Sequence, residues 1–128
     1  MEVNMISWFE IPVNDMNRAK KFYEAVFQVP ISINDFGGIL MGWFPPAEDI
    51  TAPGISGSLV QHEEYVPSRT HGPLVYFNSQ SGDIDHELGR IEEAGGTILK
   101  PKILISNEVG YMAVIVDTEG NRIALYNK

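Results

Sequence analysis

The stretch Ile6-Ser-Trp-Phe-Glu-Ile-Pro-Val-Asn-Asp15, running on into Met16-Asn-Arg-Ala-Lys-Lys-Phe-Tyr-Glu-Ala-Val-Phe27, decides how this chain folds. Residues 6–13 alternate with the two-residue period of a half-buried strand. Asp15 then offers a side-chain oxygen to the unpaired N–H groups of a helix start. Met16, Ala19, Phe22, Tyr23, Val26 and Phe27 recur at helical spacing, and Pro30 stops the pattern. Further strand-like runs follow at residues 31–36, 39–44 and 55–62. The loop between the last two holds Pro45, Pro46 and Pro53, which cannot donate to a ladder.

The same order returns in the second half. Residues 73–79 read as a strand, and Ser81-Gly82-Asp83 leads into a helix with Ile84, Leu88, Ile91 and Ala94 on one face. Gly95-Gly96 closes that helix, because glycine reaches the left-handed conformation of a helix end without penalty. Strands at 97–99, 111–117 and 122–126 complete the half, with Thr118-Glu119-Gly120-Asn121 as a tight turn. The pattern is β-α-β-β-β twice, an internal repeat with large drift. Module one covers about residues 4–64 and module two about 72–128, joined by a linker at 63–72 that holds Pro67 and Gly72.

Strand parity separates two faces. Ser7, Phe9, Ile11 and Val13 in the first strand, Leu59 and Gln61 in the fourth, Phe77 in the fifth and Ile123 and Leu125 in the last form the mostly apolar side, expected under the helices. The opposite side carries Trp8, Glu10, Ser58, His62, Tyr76, Asn78 and Tyr126. This side is expected to be concave, and it holds the unusual chemistry.

Composition narrows the function. A chain of 128 residues suits one domain, here 1–128, with a core that needs no covalent staples. There is no cysteine, which excludes disulfides, thiolate nucleophiles and Cys-type metal sites, and fits a cytoplasmic location. Nine Lys and Arg against seventeen Asp and Glu leave a formal charge of −8, which repels a phosphate backbone, so nucleic acid is not an expected partner. The longest apolar runs, 39–44 and 112–116, are far short of the ~20 residues of a membrane span. The opening five residues lack the basic start and apolar run of a signal peptide.

Four stretches carry a likeness to a known family: Trp8 to Phe27, Gly54-Ile-Ser-Gly-Ser-Leu-Val60, Leu88-Gly-Arg-Ile-Glu-Glu-Ala-Gly-Gly96 and Asp117-Thr-Glu-Gly-Asn-Arg-Ile-Ala-Leu125. Together they resemble the vicinal oxygen chelate superfamily, which includes glyoxalases, extradiol dioxygenases and bleomycin- or fosfomycin-resistance proteins. The resemblance implies an α+β fold in which two tandem β-α-β-β-β modules form an eight-stranded, half-open sheet that cups a metal or an organic ligand. It also implies a homodimer, since relatives often complete their cups across an interface.

In metal-dependent relatives the ligands are His, Glu or Gln near the start of each module's first strand and inside each module's last strand. An offset of 66 between the modules puts Trp8 and Leu74, Ser58 and Ala124 at those four positions. None is a usual metal ligand. The expectation is therefore no metal at the usual site and no cofactor. The three histidines do not obviously rebuild one: His86 falls on the second helix and His71 in the linker, leaving His62 with Glu10 and water as the conceivable set.

The leading expectation is a metal-independent protein binding a small organic molecule. Trp8, Trp43, Tyr76 and Tyr126 would give apolar contact, and Glu10, Ser58, Asn78 and His62 would orient the ligand. Glu10, the only acid in an otherwise uncharged strand, could equally be salt-bridged to Arg122 or act as a general base. Two other classes stay open. One is an enzyme, either a lyase, isomerase or dioxygenase with displaced metal ligands or a metal-free catalyst using Glu10; the other is an interaction module with a filled cup.

Overall fold

The computed structural model describes residues 2–128, so Met1 lies outside it. Strand β1 (Phe9–Pro12) leads into helix α1 (Met16–Phe27), then β2 (Ser32–Phe36), β3 (Ile39–Trp43) and β4 (Gly57–Gln61). The second module repeats the order with β5 (Tyr76–Asn78), α2 (Ile84–Ile91), β6 (Thr97–Ser106), β7 (Gly110–Val116) and β8 (Arg122–Asn127). Each module builds one four-stranded sheet, β1-β4-β3-β2 and β5-β8-β7-β6, in which only the first pair is parallel. The fold is the α+β pair of modules that the repeat implied.

Both helix starts follow from their caps. The Asp15 side chain accepts from the Arg18 N–H at 3.1 Å, and the Asp83 side chain accepts from the Asp85 N–H at 2.9 Å. All six apolar residues at helical spacing in α1 are buried. In α2 the fully buried residues are Ile84, Glu87 and Ile91, and the expected Leu88 is half-buried; the helix ends at Ile91, so the half-buried Ala94 falls in the turn that follows rather than on the helix. Glu87 is the surprise: its two carboxylate oxygens are buried without a hydrogen bond, and the Arg90 Nη2 stands 3.7 Å away.

The register confirms the internal offset. Glu10 pairs with Ser58 across β1 and β4, and Tyr76 pairs with Ala124 across β5 and β8. On the helix side, Ile11 pairs with Leu59 and Phe77 with Leu125, and all four join one core with the helices. Phe77 sits 5.5 Å from Phe9, 4.9 Å from Phe27 and 5.4 Å from Phe44, ring to ring, which welds the modules together. Each fully buried large apolar side chain contributes roughly 1.5–3 kcal/mol, so this side dominates stability.

Several strand ends differ from the sequence reading. The sixth strand runs to Ser106 rather than stopping at 99, and it contains Pro101. It is an edge strand with register shifts after Ile98 and Lys100, where a missing N–H costs little. The first strand begins at Phe9, so Trp8 stands just outside the ladder, and the fourth ends at Gln61, one residue before His62.

A buried polar network ties the second module's turn to the first module. The Tyr23 hydroxyl donates to Asp117 Oδ2 at 2.6 Å, and the Glu119 and Asn121 N–H groups donate to Asp117 Oδ1, each at 2.8 Å. The Asn121 amide donates to the Pro12 carbonyl at 2.6 Å. Glu119 accepts from the Asn14 and Asp15 N–H groups at 2.8 Å and from the Arg18 guanidinium at 2.7 Å. Burial pushes the Asp117 carboxyl up despite these donors. Burial also acts on Glu119, but Arg18 and the backbone donors outweigh it and hold this carboxyl below its ordinary value. Tyr23, buried beside the Asp117 charge, is raised well above the ordinary phenol value.

Candidate functional site

On the side of the first sheet away from α1, the ladder sets Glu10, Ser58 and Trp43 in one row. Trp8 joins them from just before β1. Its indole Nε1 donates to Glu10 Oε2 at 3.4 Å, while its ring lies 6.4 Å from that of Trp43 at an interplanar angle of 59°. The Trp8 side chain thus meets both Glu10 and Trp43, the two ladder neighbours of Ser58. Ser58 is fully buried, as is Val60 on the same side of β4, and the Ser58 Oγ has no hydrogen-bond partner. Trp8 itself is 54% exposed, an unusual place for the largest apolar side chain.

A residue that sequence reasoning missed completes the group. Tyr65 lies beside Glu10, whose negative charge, followed by partial burial, raises its phenol above the ordinary value. The chain turns back after β4, with the Tyr65 N–H donating to the His62 carbonyl at 2.9 Å, and this brings the ring toward the row. Parity could not find Tyr65, because alternation carries no information past the end of a strand. Among the described residues no ion pair joins Glu10 to Arg122 or to any other cation.

The other expected residues are more dispersed. His62 meets Tyr65 edge-on at 6.1 Å, and its Nδ1 accepts from the Glu64 N–H at 3.2 Å, so the neutral ring carries its proton on Nε2. His71 and His86 are exposed, bonded to Thr70 and Ser81. Tyr76, Asn78 and Tyr126 lie on the outer side of the second sheet. The Tyr76 hydroxyl points to Met112 Sδ at 3.8 Å, and the Tyr126 hydroxyl donates to the Val109 carbonyl and braces the turn there. Two clefts open elsewhere. One of about 470 Å³ is lined by Val13, Leu40, Gln61 and His62; another of about 380 Å³ is lined by Phe27, Gln80, His86 and Arg90.

The four positions where the resemblance would put a divalent metal offer an indole N–H, two aliphatic groups and one buried hydroxyl. Glu10 is next to Ser58 in the ladder, but among the described residues no three His, Asp or Glu side chains gather as ligands. These residues do not fit the usual metal site of such proteins. Among the described residues no helix is long and apolar enough to cross a membrane.

Paired β-α-β-β-β modules, helices on one side and an open sheet face on the other, define a glyoxalase-like class of proteins. Residues 5–125 match the Glyoxalase/Bleomycin resistance protein/Dioxygenase superfamily, and the chain belongs to it. Solved structures agree on the fold. A glyoxalase/bleomycin resistance protein from Albidiferax ferrireducens T118 is 22% identical, with a TM-score of 0.71 over 98% of this chain and 100% of that one. A genomically encoded fosfomycin resistance protein from Listeria monocytogenes is 17% identical, with a TM-score of 0.67 over 100% and 93%. Glyoxalase I from Zea mays is 18% identical, with a TM-score of 0.67; 94% of this chain matches 44% of that longer one. No curated protein matches the sequence.

Proposed function

We propose that this protein binds a small organic molecule against Trp8 and Trp43, without a metal at the family's usual position. The observation that supports this most is the row itself. A carboxylate with no cationic partner among the described residues, a buried hydroxyl lacking a partner and two indoles share one face. Binding sites combine such apolar walls with a few polar groups that fix orientation. Isolated exposed aromatics are common on surfaces, but Trp8 at 54% and Tyr76 at 49% occupy the same side of their sheets, along with half-exposed Ile103. We further propose that a second copy of the chain covers this face in a homodimer. The cysteine-free composition is the support for a cytoplasmic location.

The test joins two measurements on mildly purified protein. Native mass spectrometry should detect a bound organic molecule that is lost on Trp8→Ala, and elemental analysis should find no stoichiometric divalent metal. One equivalent of a transition metal that disappears with Glu10→Gln or His62→Ala would overturn the metal-independent reading. Tyr65 beside Glu10 favours a second reading, in which Glu10 transfers a proton and the phenol assists. Under that reading Glu10→Gln lowers turnover by at least ~10²-fold with little change in affinity.

A further inference from the structure

Resting on the binding reading above, the geometry of the Trp8 row also points to the chemical class of the ligand. We propose that Trp8, Trp43, Tyr65 and Glu10 form a receptor for an alkylated ammonium ion. Three observations carry this. First, the two indole centroids stand 6.4 Å apart with their planes inclined by 59°, the arrangement of two walls rather than of a stack. Such a separation is that of rings in contact, with no gap between them. A cation is attracted to a ring within about 6 Å of its centroid, so one seated over the angle between the two inclined faces is within reach of both.

Second, Glu10 supplies a full negative charge at the edge of Trp8 and has no cationic partner among the described residues. Covering this carboxylate with a neutral apolar ligand would strip its water and give nothing in return, whereas an organic cation replaces the lost hydration with a counter-charge. An anionic ligand would meet both the carboxylate and the negative faces of the rings. Tyr65 adds a third aromatic group whose hydroxyl already senses the Glu10 charge. Third, the formal charge of −8 raises the local concentration of cations around the whole protein and repels anions.

The two tryptophans of the walls are the only ones in the chain, so intrinsic fluorescence reports on this site alone. Choline and 3,3-dimethyl-1-butanol, its uncharged carbon isostere, should be titrated side by side. Choline is expected to perturb the emission saturably and to bind about tenfold or more tightly than the isostere, an advantage that added salt reduces. Glu10→Gln, a change at an exposed position, should remove most of that advantage while leaving the isostere's affinity and the circular dichroism spectrum as they were. Equal affinities for the two compounds would overturn the cation proposal and leave small-molecule binding intact. No saturable response to choline would overturn it as well, and the broader reading would then rest on the co-purified ligand. An unchanged choline preference in Glu10→Gln would remove the carboxylate from the proposal and refute the receptor as stated.

Discussion

Glu10, Ser58 and Trp43 stand side by side in the first sheet where Tyr76, Ala124 and Val114 stand in the second. The ladder positions are equivalent: an offset of 66 relates Glu10 to Tyr76 and Ser58 to Ala124, and one of 71 relates Trp43 to Val114. The helix-facing neighbours keep their character: Ile11 with Leu59 and Phe77 with Leu125 are apolar pairs in one core. The outward rows do not. One holds an acid, an alcohol and an indole; the other holds a phenol and two aliphatic groups. Repetition is strict on the side packed against the helices and loose on the other, where Ser58, Ala124 and Val114 are buried as well, which is what a repeat retained for its helix packing and diversified for chemistry should show.

If that contrast is right, disturbing the helix side should cost stability, and disturbing the outer row should cost recognition. The largest effect belongs to Asp117. Replacing it with Ala strips an acceptor from the Tyr23 hydroxyl and from the Glu119 and Asn121 N–H groups, all buried or nearly so. Each stranded donor costs about 1–3 kcal/mol, so urea denaturation should show a loss of at least ~3 kcal/mol. A loss below about 1 kcal/mol would mean that the network is not what joins the modules.

Glu119 comes next, and its effect depends on pH. Its folded carboxyl is held below the ordinary 4.5, so its contribution is complete above that value and drains away as the pH falls through the lowered folded value. Asp117 has the opposite sign. Its carboxyl is raised from 3.8 in the fold, so ionising it costs stability as the pH climbs from 3.8 through the raised value. Glu119→Gln removes the first dependence and keeps the second. At neutral pH the variant should be less stable by roughly 1.5–3 kcal/mol, the range for hydrogen bonds to a charged group. The difference from the parent should shrink on acidification. A difference that stays constant from pH 7 to pH 3 would show that the Arg18–Glu119 pair carries no net charge-dependent stability.

The helix side was also the part most legible in the sequence. Six residues at helical spacing in α1, the Asp15 cap and the strand parity place the core, because each of these patterns is enforced by burial or by unpaired N–H groups. The sixth strand, expected over 97–99, runs through Pro101 to Ser106, since a proline forbids a central strand but not an edge. Glu87 misled for a different reason: an acid at a buried helical position breaks the apolar pattern on which the face was drawn. The outer row was legible only in part. Trp8, Glu10 and Ser58 could be placed on one side, but Trp43 could not, and the meeting of all four depends on the Trp8 rotamer and on the β3–β4 register, neither of which is written in alternation. Tyr65 comes from a connecting segment, where no periodic rule applies.

On the outer row, Glu10→Gln sharpens the contrast from the other direction. It should weaken ligand binding by on the order of 1–3 kcal/mol, as seen by calorimetry, while leaving the unfolding midpoint where it was. A comparable loss of stability would place Glu10 among the fold-holding groups and erase the distinction between the two sides.

The smallest expected effect is the most discriminating. Ser58→Ala makes the first row match the second at the position of Ala124. The Ser58 hydroxyl is buried and unpartnered, so folding removes it from water and gives back no hydrogen bond. Deleting the oxygen should therefore leave stability unchanged or raise it by up to about 1 kcal/mol, the reverse of what losing a satisfied buried serine does. If ligand entry uncovers the hydroxyl, the same deletion removes a polar contact, and ligand affinity should fall by about 0.5–1.5 kcal/mol. Thermal unfolding and calorimetry on the one variant then answer separate questions. Greater stability with weaker binding means that the hydroxyl is kept for the ligand at the expense of the fold. Reduced stability with unchanged binding would mean that Ser58 has a structural partner, and that the two rows differ less in purpose than in composition.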